Sequence, residues 1–478
     1  MKDTRWLSLT VLCTGFLLIV VDMTIVNVAM PSIQRDLGFS QSALAWVINA
    51  YLVAFGGLLL LAGRLGDLAG RKRVYLYGLG IFIGASVLCG LSFNQPMLIA
   101  ARFIQGIGGA ASSAVILAMI VTLFPRPDEQ ARAFGLFSFV ASAGAAIGLL
   151  AGGLITQAVS WHWIFFVNVP IGLATAAASA RLLAEERGTG LGHGADLIGS
   201  LLVTAGLMLT VYTIVESSAY GLVSAHTLGF GSVSLALLAA FLVRQSMARN
   251  PILPLRLFTS RRLSVANLVQ GLMSSAFIGF FFLGSLDLER VLGYGPMAIG
   301  LAFLPVAVVM GLFSIRLSAQ LIARFGPVRV LGAGQAVVAA ALAMLALGPV
   351  NASYLLHLLV PLALLGLGGG LSFPSLALIA MADAPPRDAG LASGILNTTG
   401  QVGGALGLAV LATLASWRTL GLVRQGAVGT QALAAGYHLA FLFGAATVVV
   451  TLVLAMSMLR LKPLIPVDLP EAEPEAVA

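Results

Sequence analysis

Charge is what this sequence has least of. Asp, Glu, Lys and Arg together make up 9% of its 478 residues, where a soluble domain carries about 25%. That excludes a water-soluble globular chain and leaves an integral membrane protein. Cysteine is scarce too. Cys13 and Cys89 both lie inside apolar runs, which argues against a disulfide framework and for packing roles. No Cys/His metal spacing, no phosphate-binding G-x-x-x-x-G-K-S/T loop and no nucleophile elbow occurs. No metal, no cofactor and no enzyme chemistry are therefore expected. The net charge of +8 raises nucleic acid as a partner, but the basic residues are spread one to a few per loop and form no patch.

Apolar residues are what the chain has in plenty, at 59% with a mean hydropathy of +1.01. Runs of membrane-spanning length fall near 7–31, 44–62, 74–93, 97–120, 133–156, 162–183, 197–216, 227–247, 263–286, 297–316, 328–348, 354–379, 390–415 and 436–459. The first run is too long for a signal peptide core and has no small-residue cleavage site after it, so it reads as a retained helix. Fourteen spans put both termini on one side. Apart from Arg102, only Arg35, Arg290, Arg418 and Arg424 of the 26 Lys and Arg residues fall in the loops of the opposite side. The positive-inside rule then makes the termini cytoplasmic, and the expected location is the plasma or inner cell membrane.

The loop between the second and third runs is Gly63-Arg-Leu65-Gly-Asp67-Leu68-Ala-Gly70-Arg71-Lys72-Arg73. Its glycines allow a sharp turn and close helix approach, and its cations hold it in the cytoplasm. Gly63, Leu65, Asp67, Gly70, Arg71 and Lys72 match the signature G-x-L-a-D-r-x-G-r-k, with Leu68 in place of the usual Arg. The chain thus resembles the major facilitator superfamily. An ordinary positive-inside loop would account for the cations but not for the Gly and Asp spacing. Asp67 is expected to cap or pair with a helix start in the other half, near 387–390, as a latch on one alternating-access state.

A parallel repeat supports the resemblance. Gly70 and Arg73 recur as Gly326 and Arg329, Gly106-x-Gly108-Gly109 as Gly366-x-Gly368-Gly369, and Ser138, Gly148 and Gly152 as Ser393, Gly403 and Gly407. Each copy holds six spans, and two are left between them. The expected architecture is an all-α membrane protein of fourteen helices: a bundle over 1–185, two additional helices over 186–250, a second bundle over 251–460 and a disordered acidic tail over 461–478. The segment 249–258 reads as a linker with a short interfacial helix. Six-plus-two-plus-six resembles the fourteen-helix drug:proton antiporter branch.

Few charges lie inside the spans. Asp22 sits about 13 Å and Arg102 about 9 Å from the outer surface, with Gln105 one turn beyond Arg102 at about 13–14 Å, so the three can meet at one level. Burial raises a carboxyl pKa and a nearby cation lowers it, a balance that suits a coupling proton. A fixed buried ion pair that only joins helices is the alternative. Asp22, Thr24, Asn27 and Pro31 match the first-helix motif L-D-x-T-x-V-N-V-A-L-P of the drug:proton antiporters, and Arg102, Gln105, Gly106 and Gly108 resemble the family's fourth-helix motif, whose Arg is implied in proton transfer.

Gly144, Gly148, Gly152 and Gly153 resemble the antiporter motif G-x-x-x-G-P-x-x-G-G, with Leu149 replacing Pro; a plain helix-packing face fits them equally. Trp161, Trp163, Phe165, Asn168, Pro170 and Gly172 resemble the start of the branch's sixth helix, and read physically as an aromatic belt. Asp22, Asn27, Gln105, Asn397 and Gln401 are the candidates for the substrate cavity, with interhelical hydrogen bonding the alternative for the last two. Glu216, Asp287 and Glu289 read as solvated helix ends. The resemblance implies proton-coupled efflux of small hydrophobic or amphipathic drugs by a monomer driven by the proton gradient. A narrow-range metabolite transporter, or a membrane receptor or assembly protein without transport, are the rivals.

Overall fold

The computed structural model describes residues 2–185, 188, 190, 194–382 and 389–459. Arg387 and the expected acidic tail lie outside the described residues. The helices in chain order are α1 (Lys2–Leu37), α2 (Gln41–Leu44), α3 (Trp46–Ala69), α4 (Arg71–Gly90), α5 (Gln95–Leu123), α6 (Pro127–Ala158), α7 (Trp163–Phe166), α8 (Asn168–Leu182), α9 (Leu197–Tyr220), α10 (Ala225–Met247), α11 (Arg261–Arg290), α12 (Pro296–Leu312), α13 (Ser318–Phe325), α14 (Pro327–Ala346), α15 (Leu359–Met381), α16 (Ala389–Arg424) and α17 (Gly429–Met458). No strand occurs among the described residues. Among the described residues, twelve helical stretches are long and apolar enough to cross a membrane, and two shorter apolar helices, Ala143–Ala158 and Pro296–Leu312, accompany them.

Several boundaries differ from those the hydropathy suggests, each for a local reason. Pro31 does not end α1, which continues to Leu37. A proline inside a helix removes the amide that would pair with the carbonyl four residues back, and α1 runs on past that gap. The run 162–183 is broken at Val167 into α7 and α8. The linker holds a 3₁₀ turn at Leu255–Thr259. Polar residues set many helix starts. Asn94, Ser224 and Ser260 accept a hydrogen bond from the amides of Met97, Thr227 and Leu263, as N-caps do.

Packing sorts the helices into two sets. In the first, α1 packs on α5, α6 and α8, and α4 and α3 pack on α5. In the second, α11 packs on α16 and α17, and α14 and α12 pack on α15. The glycines explain how the backbones come so close. A Cβ on Gly108 would meet Phe82 N at 2.4 Å and Gly78 O at 2.7 Å. One on Gly368 would meet Gly334 O at 2.6 Å and Val338 N at 3.0 Å. The turns agree as well: Gly70 between α3 and α4 has φ +100°, and Gly326 between α13 and α14 has φ +81°, a region open to glycine.

The sets meet where α3 faces α16, α6 faces α12 and α1 faces α11. Helix α9 lies on α3 and α16, while α10 packs chiefly on α9. Thr204 of α9 fits against Gly57, and Thr413 of α16 donates to the Ile214 carbonyl at 3.3 Å. Exposed apolar side chains such as Tyr77, Leu201, Leu235 and Val453 give the outer surface its lipid-compatible character.

Candidate functional site

Four helices of the first set aim polar side chains at one point. Asp22 comes from the middle of α1, Ser86 from α4, Arg102 and Gln105 from α5, and Asn168 from the first turn of α8. Arg102 and Gln105 are three apart, which places them on one face. Arg102 Nη1 lies 2.6 Å from Asp22 Oδ2. Asp22 Oδ1 accepts from Gln105 Nε2 and from Asn168 Nδ2, both at 2.8 Å. Gln105 Nε2 also reaches Ser86 Oγ at 2.8 Å, and its Oε1 accepts from Arg102 Nη1. Arg102 Nε donates to the Val47 carbonyl of α3 at 3.0 Å. The Arg102 guanidinium sits 4.5 Å from the centre of the Tyr51 ring, within cation–π range.

Asp22, Gln105, Asn168 and Ser86 are 0% exposed and Arg102 2%. A buried ion pair is weak support for stability, because desolvation offsets the attraction. What this pair has is a nearly complete set of donors and acceptors, as a buried charge requires. Four polar atoms at its edge remain without partners: Tyr51 Oη, Asn168 Oδ1, and Oδ1 and Nδ2 of the fully buried Asn49.

The structure therefore brings Asp22, Arg102 and Gln105 together but seals them from any open cavity. Asn27 bonds back to the Met23 carbonyl of its own helix. Gln401 packs against Gly56 where α16 meets α3, and Asn397 is exposed. The five expected cavity residues do not share one place. Sequence reasoning missed Ser86, Tyr51, Asn49 and the inward role of Asn168. A serine, a tyrosine or an asparagine in an apolar run carries no period of its own, although Asn168 stood inside a recognised motif.

The remaining motifs divide. Gly144, Gly148 and Gly152 face α1 at Leu17, Val20, Thr24 and Ile25. Gly153 faces the other way, against the backbone of Pro296 and Met297, and Gly300 meets the Leu149 carbonyl in return. Asp67 pairs with Arg71 at 3.3 Å in its own loop, Arg71 also reaches Thr122 at 2.9 Å, and Lys72 Nζ donates to the Ala180 carbonyl. Of its expected partners near 387–390, Arg387 is outside the described residues. The aromatic segment is tied down by Trp161 Nε1 donating to Asp36 Oδ2 at 2.8 Å.

Two expectations fail. Glu289 is not a solvated end: it pairs with Arg35 at 2.8 Å and its side chain is 15% exposed. Asp287 keeps Oδ1 buried. Glu289 faces the junction of α1 and α11 rather than water. Sequence reasoning also passed over Asp196, which caps α9. Burial works against its charge, but hydrogen bonds from the Gly199 amide, Gln245 and Arg244 outweigh this and hold its carboxyl below the usual range.

Comparison with known proteins agrees with this architecture. The Major Facilitator Superfamily family matches residues 12–408. The puromycin resistance protein pur8 of Streptomyces alboniger is 38% identical over 461 residues, covering 94% of this chain and 90% of that one. The cephamycin export protein CmcT of Amycolatopsis lactamdurans is 37% identical over 421 residues, covering 88% and 87%. A bacterial homologue of the human lysosomal transporter Spinster, solved in an inward-facing, unoccupied conformation, shares the fold with a TM-score of 0.70 at 16% identity, covering 97% of this chain and 100% of that one. The chain belongs to the Major Facilitator Superfamily.

Proposed function

We propose that this member of the Major Facilitator Superfamily exports hydrophobic or amphipathic antibiotics in exchange for protons, by alternating access of its two helix sets. It is read as a transporter and not an enzyme. The observation that carries the reading is the sealed Asp22 carboxylate, held by Arg102, Gln105 and Asn168. A charge inside a membrane protein marks a working site by default. Here the acid and its cation are buried together among four helices, a placement that packing alone does not call for.

The chain is divided into a bundle over 1–185, two additional helices over 186–250, a second bundle over 251–460 and a tail over 461–478. With the two shorter apolar helices counted as spans, there are fourteen. The basic loops put Asp67 and both termini in the cytoplasm of a plasma or inner membrane. The protein works as a monomer and draws on the proton gradient. Each proton moved down the potential contributes about 2.3 kcal/mol per 100 mV.

Breadth of substrate is a second question. Relatives carry the names of single antibiotics, among them tetracenomycin C and methylenomycin A, and one of similar identity is named a multidrug resistance protein. A susceptibility panel in a host stripped of its own pumps, with wild type against Asp22→Asn, tests both points. Resistance confined to one chemical class supports the narrow reading. Resistance that survives Asp22→Asn at equal expression removes Asp22 from the mechanism.

A further inference from the structure

Helix α9 touches both helix sets, and packing on both does not assign it to either. The kind of contact does. At the end of the molecule away from Pro31, the Gly190 amide donates to the Leu68 carbonyl of α3 at 3.1 Å. Gly188 lies on the same stretch, where a Cβ would come 2.8 Å from the Ala69 amide nitrogen. Midway along α3, a Cβ on Gly57 would lie 3.2 Å from Thr204 Cβ and 3.4 Å from its Cα, so the two helix backbones nearly touch. At the Pro31 end, Ser218 Oγ donates to Ser42 Oγ of α2 at 3.4 Å. The first set thus holds α9 at three depths.

Toward the second set the contact is of another kind. Thr413 of α16 reaches the Ile214 carbonyl with its side chain at 3.3 Å. The glycines of α16 serve other neighbours: Gly394 meets Leu60 of α3, and Gly400, Gly403 and Gly407 meet Gln270, Gly271 and Ser275 of α11. A seat that only glycine fits fixes two helices in register, whereas a side-chain contact can be exchanged for another as helices slide. Helix α10 is tied to α9. Asp196 accepts from Arg244 at 3.0 Å and from Gln245 at 2.7 Å, and Ser234 Oγ donates to the Gly206 carbonyl at 3.1 Å. Gln245 Oε1 also accepts from the Leu253 amide at 3.0 Å, which carries the tie into the linker. The next tie belongs to the other side, since Ser264 Oγ of α11 donates to the Phe258 carbonyl at 2.7 Å.

We propose that α9 and α10 travel with the first set as one rigid body, that the chain pivots between Leu253 and Phe258, and that α16 slides over α9 when the sets move. A few loop residues are enough to absorb such a motion, and here they are Pro254 and the first residues of the 3₁₀ turn. The inference rests on the reading that the two sets move against each other, and it assigns the two additional helices to one of them. It does not depend on what the protein transports or in which direction.

The test uses the full chain in lipid nanodiscs, with pairs of spin labels on cysteines at exposed positions of the Pro31 end. Val159→Cys with Ala298→Cys reports the separation of the two sets. Phe93→Cys with Val223→Cys spans the first set and the additional helices, and Val223→Cys with Val428→Cys spans the additional helices and the second set. Cys13 and Cys89 are buried and stay unlabelled. Arg35→Glu and, separately, Glu289→Arg place like charges where Arg35 and Glu289 now pair at 2.8 Å, and each should lengthen the Val159–Ala298 distance. The Val223–Val428 distance should change with it, while the Phe93–Val223 distance keeps its wild-type mean and width. Exchanging both charges should restore all three distances. A changed Phe93–Val223 distance overturns the proposal, and so does an unchanged Val223–Val428 distance while the sets part. If the Val159–Ala298 distance stays as in the wild type in both variants, the reading of two moving sets falls and the proposal falls with it.

Discussion

The two halves of the chain share a backbone plan and differ in what fills it. Gly106, Gly108 and Gly109 of α5 sit against Tyr51, Phe82 and Phe55, and Gly366, Gly368 and Gly369 of α15 sit against Val306, Val338 and Phe277. In that register Arg102 corresponds to Leu362 and Gln105 to Leu365, both leucines buried. One bundle interior holds an ion pair with its hydrogen bonds, and its counterpart holds aliphatic side chains. The same helix packing is thus reached with and without the charges. The polar centre is therefore not needed to build a bundle, which turns attention to what else it does.

The largest expected effect breaks the polar half only. Arg102→Leu, the residue found in the second half, leaves Asp22 buried without its cation and should destabilise the protein by about 3–5 kcal/mol. Thermal unfolding in detergent measures it. Adding Asp22→Leu should recover most of the loss, since a well-packed apolar replacement of a buried pair is often neutral, while export stays abolished. If the double variant unfolds as readily as the single one, the halves are not built on one plan.

A smaller effect should be equal on both sides. Gly108→Ala and Gly368→Ala each place a methyl group within 3 Å of a facing backbone. Overpacking of this kind costs about 1–3 kcal/mol. Matched losses in unfolding temperature keep the comparison. A loss confined to Gly108→Ala would tie the close approach to the charged centre instead of the fold.

The additional helices give a third contrast, because their charged centre lies at an end rather than in the middle. Asp196 accepts from the Gly199 amide at 2.9 Å, Arg244 at 3.0 Å and Gln245 at 2.7 Å. Asp196→Ala should loosen the start of α9 by about 0.5–2 kcal/mol, as for other N-caps. Its depressed pKa means the contribution is present above about pH 3.9 and fades as pH falls through the lower folded value. Hydrogen exchange at the Gly199 amide follows both changes.

These contrasts also explain what could be read in advance. Long apolar runs, Gly spacings and the loop charges report helices, close packing and sidedness, and each is a local property of the chain. The Asp22–Arg102–Gln105 meeting was accessible because depth along a helix is a matter of counting residues. Asn168 and Ser86 were not, since which face of α8 or α4 turns inward depends on neighbours distant in sequence. Glu289 was misread for the same reason. A helix-end acid looks solvated until another helix brings an arginine to it.

The smallest structural effect belongs to Asp67. Its pair with Arg71 is an exposed i,i+4 contact, with Asp67 half exposed, and such pairs contribute about 0.2–0.5 kcal/mol. The share of this pair in the effect of Asp67→Ala on the unfolding temperature should therefore be little more than the error of measurement. If Asp67 does no more than this, export should be nearly unaffected too. If it latches the two sets in one state, export should fall steeply while stability stays level, and Asp67→Glu should restore part of it. A two-state equilibrium responds to any group that favours one state over the other, so the ratio of lost transport to lost stability separates a latch from an ordinary surface pair.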